Sequence, residues 1–379
     1  MHAIISGAGV AGLALAGRLV LDGWTVEIVE RAPGPRASGY LIDFFGPGYD
    51  AAERLGLLPA LRSRAEHFDE LRSVDASGRV RARLPIALVE QAVAGRYMTI
   101  LRPQIVAALA EAVPDGVRMR WGTQVETVHD DGVHVQALLS DGDRVPADLL
   151  VGADGVGSRV RQLVWGAAGD FVRPVGDLLA VAWIGDDAAL NADLEGKVAM
   201  QLELDRQLVV APLGESGVTG FAVLRGVRAA DARQAIAELG VLGRRAVRAV
   251  RDPYIDEVAQ TVVEPWVRGR SVLLGDACAA VSLLAGQGAS LAIAGAERLA
   301  EELAFARHPS DVTAGLEAYE RDWRPIVERE QARGRRAQAT FAPHTRLELE
   351  AQRAVWKAAA LPGVAQLVAR AAGGVTKAR

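Results

Sequence analysis

Gly7, Gly9 and Gly12 stand in the run "AIISGAGVAGLALAGRLV", and Glu30 closes the apolar stretch "TVEIVE" that follows. Glycines at that spacing let a backbone approach a pyrophosphate, and an acid at that distance can accept hydrogen bonds from both hydroxyls of a ribose. A second glycine-rich turn, "LLVGADGVGSRVR" at Leu149 to Arg161, sets Asp154 and Gly155 after another short apolar run. A third, "SVLLGDACAAVSLLAGQGAS" at Ser271 to Ser290, delivers Asp276 and then Gly286 and Gly288. A dinucleotide needs only one phosphate turn, so the repetition needs another explanation.

Such turns work only when particular elements hold them. "AIIS" reads as a strand, "VAGLALAGRLVLDG" as a helix stopped by Gly23, and "TVEIVE" as a second, β-branched strand. In that βαβ setting the helix start at Val10 and Ala11 offers free N–H groups and the positive dipole end to phosphates. Glu30 repels a 2′-phosphate, so the expected nucleotide is an adenosine without one. A close-packed turn with no ligand is the alternative, and this unit alone does not separate NAD from FAD. Asp276 bears on that choice. An acid ending a buried strand beside a pyrophosphate makes sense as an acceptor from hydroxyls such as those of a ribityl chain. The helix opening at Gly286, Gly288 and Ala289 adds amides for the carbonyl edge of a flavin. The competing reading is a helix cap at Asp276 and a glycine hinge.

Between the turns, "GYLIDFFGPGYDAAERLGLLPALRS" suggests a short strand and helix, and "HFDELRSVDASGRVRARLPI" shifts towards period two. "MTILRPQIVAALAEAVP" returns to helix with Pro103 in its first turn. A β-rich middle runs from Phe171 to about Glu264 with one helical insertion at "AADARQAIAELG", and the last third is helical apart from "SVLLGDA". The order predicts an α/β protein: a Rossmann-like nucleotide domain in three pieces, an inserted β-sheet-rich domain, and C-terminal helices. The expected boundaries are 1–70, 98–172 and 265–335 for the first domain, 71–97 and 173–264 for the second, and 336–379 for the helical segment.

The chain has 379 residues, a formal charge of -4 and one cysteine, Cys278. That balance gives no general attraction to nucleic acid or anionic lipid. A lone cysteine excludes an internal disulfide and a thiolate cluster and suits a reducing, cytoplasmic setting. The six histidines show no ligand spacing, so no metal is expected. The first apolar run is a strand broken by glycines rather than a secretory signal, and no stretch approaches the about 18 residues needed to span a bilayer. The basic stretch "ARGRRAQ", Ala332 to Gln338, reads as a solvated helix face, and the tail after Ala354 as packing helices.

Taken together, the three turns resemble the motifs of the class A FAD-dependent aromatic monooxygenases, typified by para-hydroxybenzoate hydroxylase, and especially compact bacterial members such as the tetracycline-inactivating monooxygenases. The resemblance covers about residues 2 to 340. In it, Gly7, Gly9, Gly12, Glu30 and the adjoining Arg31 match the ADP-binding fingerprint. "GADGVGSRVR" matches the motif implicated in both FAD and NAD(P)H binding, with Asp154, Gly155, Ser158 and Arg161 in place; the second turn then belongs to the same flavin domain. "GDA" at Gly275 to Ala277 matches the motif whose acid contacts the ribityl-pyrophosphate region. Arg102 matches an arginine that reaches the FAD, and Arg36 and Asp43 fall at cofactor-proximal positions. The chain departs from the family at Ala279, Leu283, Ser290 and Gly295, where a histidine, a proline, an asparagine and an acid are usual.

The resemblance implies non-covalent FAD, NADPH or NADH as reductant, and molecular oxygen added through a flavin C4a-hydroperoxide to a small hydrophobic aromatic or polycyclic substrate. No catalytic side chain is singled out. It implies a monomer or homodimer. Met200, Gln201, Phe221 and Trp183 are candidate pocket residues, though residues of these types are more often plain core. An FAD-dependent dehydrogenase or oxidase on the same scaffold is the main alternative, and a flavin-binding partner of little activity is another. A simple NAD(P) dehydrogenase leaves Asp154 and Asp276 unexplained, and no W-x-W-x-I-P sequence supports a halogenase.

Overall fold

A Cβ added to Gly12 would lie 2.0 Å from the carbonyl oxygen of Gly7. Only glycine lets the first helix close on the turn before it. Strand β1 (His2–Ser6) therefore passes directly into α1 (Val10–Leu21), and β2 (Thr25–Glu30) returns parallel to β1. The computed structural model describes residues 1–35, 39–215 and 217–359.

The chain continues through β3 (Leu41–Phe45), α2 (Pro47–Arg54), α3 (Leu58–Arg62), β4 (Glu70–Val74) and β5 (Val80–Pro85). After α4 (Ile86–Ala92) and β6 (Tyr97–Leu101), α5 (Arg102–Ala112) opens with Pro103 in its first turn. Strand β7 (Val117–Trp121) precedes the antiparallel set β8 (Val125–Asp130), β9 (Val135–Leu139) and β10 (Arg144–Ala147). Then come β11 (Leu149–Gly152), α6 (Arg159–Val164) and the long β12 (Val172–Asp186). Helix α7 (Ala188–Leu194) leads to β13 (Val198–Glu203), β14 (Arg206–Leu213) and β15 (Gly217–Arg225). Helices α8 (Ala232–Ala237) and α9 (Val241–Ala249) precede β16 (Tyr254–Thr261), β17 (Val267–Arg268) and β18 (Ser271–Leu273). The remainder is α10 (Asp276–Ala279), α11 (Gly288–Leu303), α12 (Pro309–Arg336), α13 (Gln338–Phe341) and α14 (Arg346–Ala359).

Two sheets organise these elements. The first has six strands in the order β17-β18-β11-β1-β2-β7, parallel except for β17. Distant segments meet there: Ile5 pairs with Val151, and Gly152 with Leu273. Its central strands β1, β2 and β11 are largely buried on both faces, as their apolar runs require. Helix α1 packs against α11 and α5 on one side. The second sheet has seven strands, β16-β12-β15-β14-β13-β4-β5, so the hairpin of β4 and β5 joins strands more than a hundred residues later in the chain. One face is covered by α7, α8 and α9, whose Leu190, Ile236 and Ala246 pack on Val181, Trp183 and Leu208. The β-rich middle thus carries three helices rather than one insertion. The other face meets Leu283, Leu284 and Phe341 near Val223 and Ala180.

The basic stretch expected on a solvated face is partly docked. A Cβ on Gly334 would meet the Val281 carbonyl at 2.4 Å, and Arg335 donates to Gln260 Oε1 at 2.8 Å. The buried Gln331 donates to the Thr261 carbonyl at 2.7 Å. Arginine and glycine so close together read as solvated, but a missing side chain at position 334 is what admits the neighbouring loop. Among the described residues, no helix is long and apolar enough to cross a membrane. Residues 360–379 of the tail lie outside the described residues.

Candidate flavin site

The parallel pairing of β1 with β2 and β11 brings the first two turns to the same sheet edge. Gly7 has φ +110°, and a Cβ there would lie 2.6 Å from the Ala153 carbonyl and 2.9 Å from Asp154 Cα. The third turn joins them: at Gly275, φ +62°, an added Cβ would stand 3.0 Å from Ala11 Cβ. Three turns far apart in sequence thus converge on the start of α1.

Gly9 differs from its neighbours. It caps α1, no side chain satisfies the cap, no acid occupies the first turn, and an added Cβ would meet nothing within 4 Å. Protein packing does not account for a glycine there, whereas a ligand's phosphates would. Val10 and Ala11 are buried behind it and leave their first-turn amides at the helix mouth. Glu30 is oriented by the N–H groups of Ala8 at 2.9 Å and Ala32 at 2.8 Å, one on each carboxylate oxygen. A carboxylate keeps further lone pairs for hydroxyl donors after two such bonds. Arg31 is exposed beside it, and Arg36 lies outside the described residues.

In the second turn, Asp154 Oδ2 accepts from the N–H groups of Arg159 at 2.7 Å and Val160 at 3.2 Å, so it serves the start of α6. Its Oδ1 is buried with no partner among the described residues. Gly155 takes φ +81°, and Ser158 caps α6 by accepting from the Arg161 N–H at 3.0 Å.

Asp276 begins α10 and is half-buried. Burial pushes its carboxyl above the ordinary range, and Arg102 opposes the rise. Gly286, φ +64°, leads to Gly288 and Ala289 at the head of α11. Asp43 accepts from Tyr97 Oη at 2.6 Å and Thr99 Oγ1 at 3.2 Å. Its side chain is open to solvent, yet surrounding protein pushes its carboxyl up despite those two hydrogen bonds. Cys278 is buried, and its thiol is raised well above the usual value by burial and then by Asp276, as befits a packing residue.

The departures from the usual motif have local reasons. Ser290 Oγ accepts from the Gly48 N–H at 2.8 Å and donates to the Phe45 carbonyl at 2.7 Å, fastening α11 to the turn before α2. At Gly295 a Cβ would lie 2.7 Å from Trp323 Nε1, so the indole fills the place of a side chain. Leu283 is half-buried against the second sheet. The structure supplies no equivalent reason for Ala279.

Of the four pocket candidates, Trp183 and Gln201 belong to the helix-covered face. Trp183 packs with Leu190 and Ile236, and Gln201 Nε2 donates to the Leu239 carbonyl. Phe221 and Met200 belong to the opposite face. Register places them in one cross-strand row, Met200–Val209–Phe221–Ala182–Tyr254. Sequence reasoning missed Tyr40, which lies just before β3 and contacts Phe221 and Tyr254 of the second sheet, with ring centroids 5.9 and 6.2 Å away. No local motif marks it, because its ring partners lie on strands far along the chain.

A helix mouth, an oriented ribose-type acid and a second acid on an adjoining turn define a flavin-nucleotide scaffold, and the residues present fit FAD. The family model described as FAD binding domain matches residues 1–168 and 242–333. The chain belongs to that family and is a class A flavin monooxygenase. An uncharacterized protein of Mycobacterium tuberculosis is 32% identical over 341 residues, covering 86% of this chain and 91% of its own. The FAD-dependent monooxygenase asL6 of Sarocladium schorii is 29% identical over 359 residues, covering 86% of this chain and 84% of its own. The tetracycline destructase Tet(55) shares the fold with a TM-score of 0.79 at 23% identity, over 94% of this chain and 96% of that one.

Proposed function

We propose that the chain holds FAD non-covalently across its three turns and consumes NADPH or NADH and molecular oxygen to oxygenate a hydrophobic aromatic or polycyclic small molecule. The observation that carries this reading is the convergence of Gly7, Ala153 and Gly275 on the unfilled mouth of α1 at Gly9. In this assignment Glu30 accepts from ribose hydroxyls and the α1 amides meet the pyrophosphate. Asp276 accepts from the ribityl region, with Arg102 beside it in the cleft. Asp43 and the amides of Gly286, Gly288 and Ala289 face the ring system. The flavin, when bound, supplies the redox chemistry and the activation of oxygen. The chain's own work is to orient that ring, keep water away and present the substrate from the Phe221 row of the second sheet.

The test begins with the visible spectrum of purified protein, before and after added FAD. NADPH or NADH is then added in air, with and without trial polycyclic aromatics. A flavin band bleached faster in the presence of an aromatic, and a product carrying one oxygen atom from labelled dioxygen, support the proposal. Flavin reduced by the organic substrate itself, with no oxygen inserted, supports a dehydrogenase or oxidase. A protein that takes up no flavin overturns the assignment.

A further inference from the structure

Tyr40, just before β3, packs on the core around the first sheet and on two rings of the second. Its backbone carbonyl accepts from the Arg102 N–H at 2.9 Å, and its ring packs obliquely on Phe221 and Tyr254. Between those rings the row carries Ala182, whose small side chain leaves room for Tyr40 to approach. The Tyr40 hydroxyl has no hydrogen-bond partner among the described residues. Burial pushes it up to about 12, with Arg102 opposing and Asp276 and Asp256 reinforcing the rise.

Acids flank these rings, and Arg102 is the cation whose charge acts on both Tyr40 and Tyr254. Tyr254 donates to Asp256 Oδ2 at 2.7 Å, and Asp256 is exposed. The row from Tyr254 through Ala182, Phe221, Val209 and Met200 to Ser73 and Ala82 carries no cation. Arg225, further along the same face, is held by Asp205 and by the carbonyls of Gly176 and Ala342. Arg102 is the cation near Tyr40, and it faces the acid of the third turn. With Arg102 also drawn to Asp276, a carboxylate arriving at the Tyr254 end of this wall would meet Asp256 and ring faces, both of which repel it.

We propose that Tyr40, Phe221 and Tyr254, backed by Asp256, form the specificity wall of the substrate site and select an aromatic molecule bearing a protonated nitrogen over one bearing a carboxylate. Ring faces attract a cation through their quadrupoles, and a nearby carboxylate in a cleft adds to that attraction. The inference rests on the monooxygenase reading for the location of the substrate, but not for the charge it favours.

Equilibrium dialysis of the protein, as purified and after FAD loading, against naphthylmethylammonium, methylnaphthalene and naphthoate tests it. The ammonium probe is expected to bind about tenfold tighter than methylnaphthalene, and naphthoate more weakly than either. Asp256→Asn should reduce the preference for the ammonium, and Tyr40→Leu should weaken the ammonium and neutral probes together. Tyr40→Phe, which keeps the ring, should retain the order. Naphthoate binding as well as the ammonium, no probe binding at all, or a preference unchanged in Asp256→Asn would overturn the inference. Flavin content measured on the same samples reads the cofactor assignment separately, because dialysis detects the probes with or without it.

Discussion

The Arg161 Nη1 donates to the Ala277 carbonyl at 2.7 Å, and its Nη2 donates to the Val156 carbonyl at 2.6 Å. One buried guanidinium therefore fastens the second glycine-rich turn to the third. Burial lowers its pKa, and the charge of Asp154 opposes that fall. Arg161→Met would strand both carbonyls and is expected to cost about 3 kcal/mol. Arg161→Lys, with a point charge in place of a fork, should fall between the two. Thermal melting and flavin content should drop together in this series. A methionine variant that melts like the parent would remove the staple from the account.

Gly9 and Gly12 make opposite predictions although they lie in one motif. Gly9→Val places its side chain in open space, so the protein should fold with a melting temperature near the parent's and purify without flavin. Gly12→Ala drives a methyl to 2.0 Å from the Gly7 oxygen, and should fail to fold or lose several kcal/mol. Circular dichroism melts beside visible absorbance separate the two. A normally flavinated Gly9→Val protein would sink the phosphate assignment.

Asp276 and Asp148 are both acids beside glycine-turn strands, but their surroundings differ. Asp148 Oδ2 accepts from the His2 N–H at 2.8 Å and ties down the start of β1. Asp276 has its carboxyl raised by burial against the pull of Arg102. A carboxyl raised in the fold binds its proton more tightly there than in the unfolded chain. Its contribution to stability is therefore lost as pH climbs from the unfolded pKa through the folded one, and stays lost above it. Asp276→Asn should accordingly stabilise the flavin-free protein at neutral pH, with the gain vanishing in acid below both values. The same change should weaken FAD retention about tenfold, whereas Asp148→Ala should lower stability and leave retention closer to the parent's. Equal retention in the two variants would contradict the ribityl role.

What could be read in advance follows from how local each device is. Gly7, Gly12 and Glu30 act within one βαβ unit, so spacing alone identified their elements. The helical character of the last third was legible too, but not how its basic stretch docks through Gly334 and Arg335. Tyr40 was not, because its partners Phe221 and Tyr254 come from a sheet assembled far along the chain. Trp183 and Phe221 illustrate a finer limit. Both are large and apolar in neighbouring strands, and only the pairing of Trp183 with Gly220 and of Phe221 with Ala182 assigns them to opposite faces. The single helical insertion became α7, α8 and α9 because one sheet face needed covering, a demand that no short segment announces.

The loop between Cys278 and Gly288 holds the most strained described residue near the site. Ser282 takes φ 79° and ψ 147°, a region that side chains avoid, and its Oγ accepts from the Leu284 N–H at 3.2 Å in partial recompense. Such a residue costs about 1–3 kcal/mol and persists only where its surroundings hold it. Leu283 follows at the first position of a short 3₁₀ turn, the position where the resemblance to the aromatic monooxygenases implies a proline. The Leu283 N–H has no acceptor among the described residues, and the ψ of Ser282 is one that a residue before proline accepts. Leu283→Pro should therefore change stability by no more than about 1 kcal/mol, measured by denaturant unfolding. Its effect should appear instead in coupling, with a smaller share of consumed NADPH or NADH lost as hydrogen peroxide. If the variant unfolds early, the loop depends on the leucine for packing and the departure is structural. If it is as stable as the parent and its peroxide yield does not move, position 283 does not shape the wall where oxygen and substrate meet.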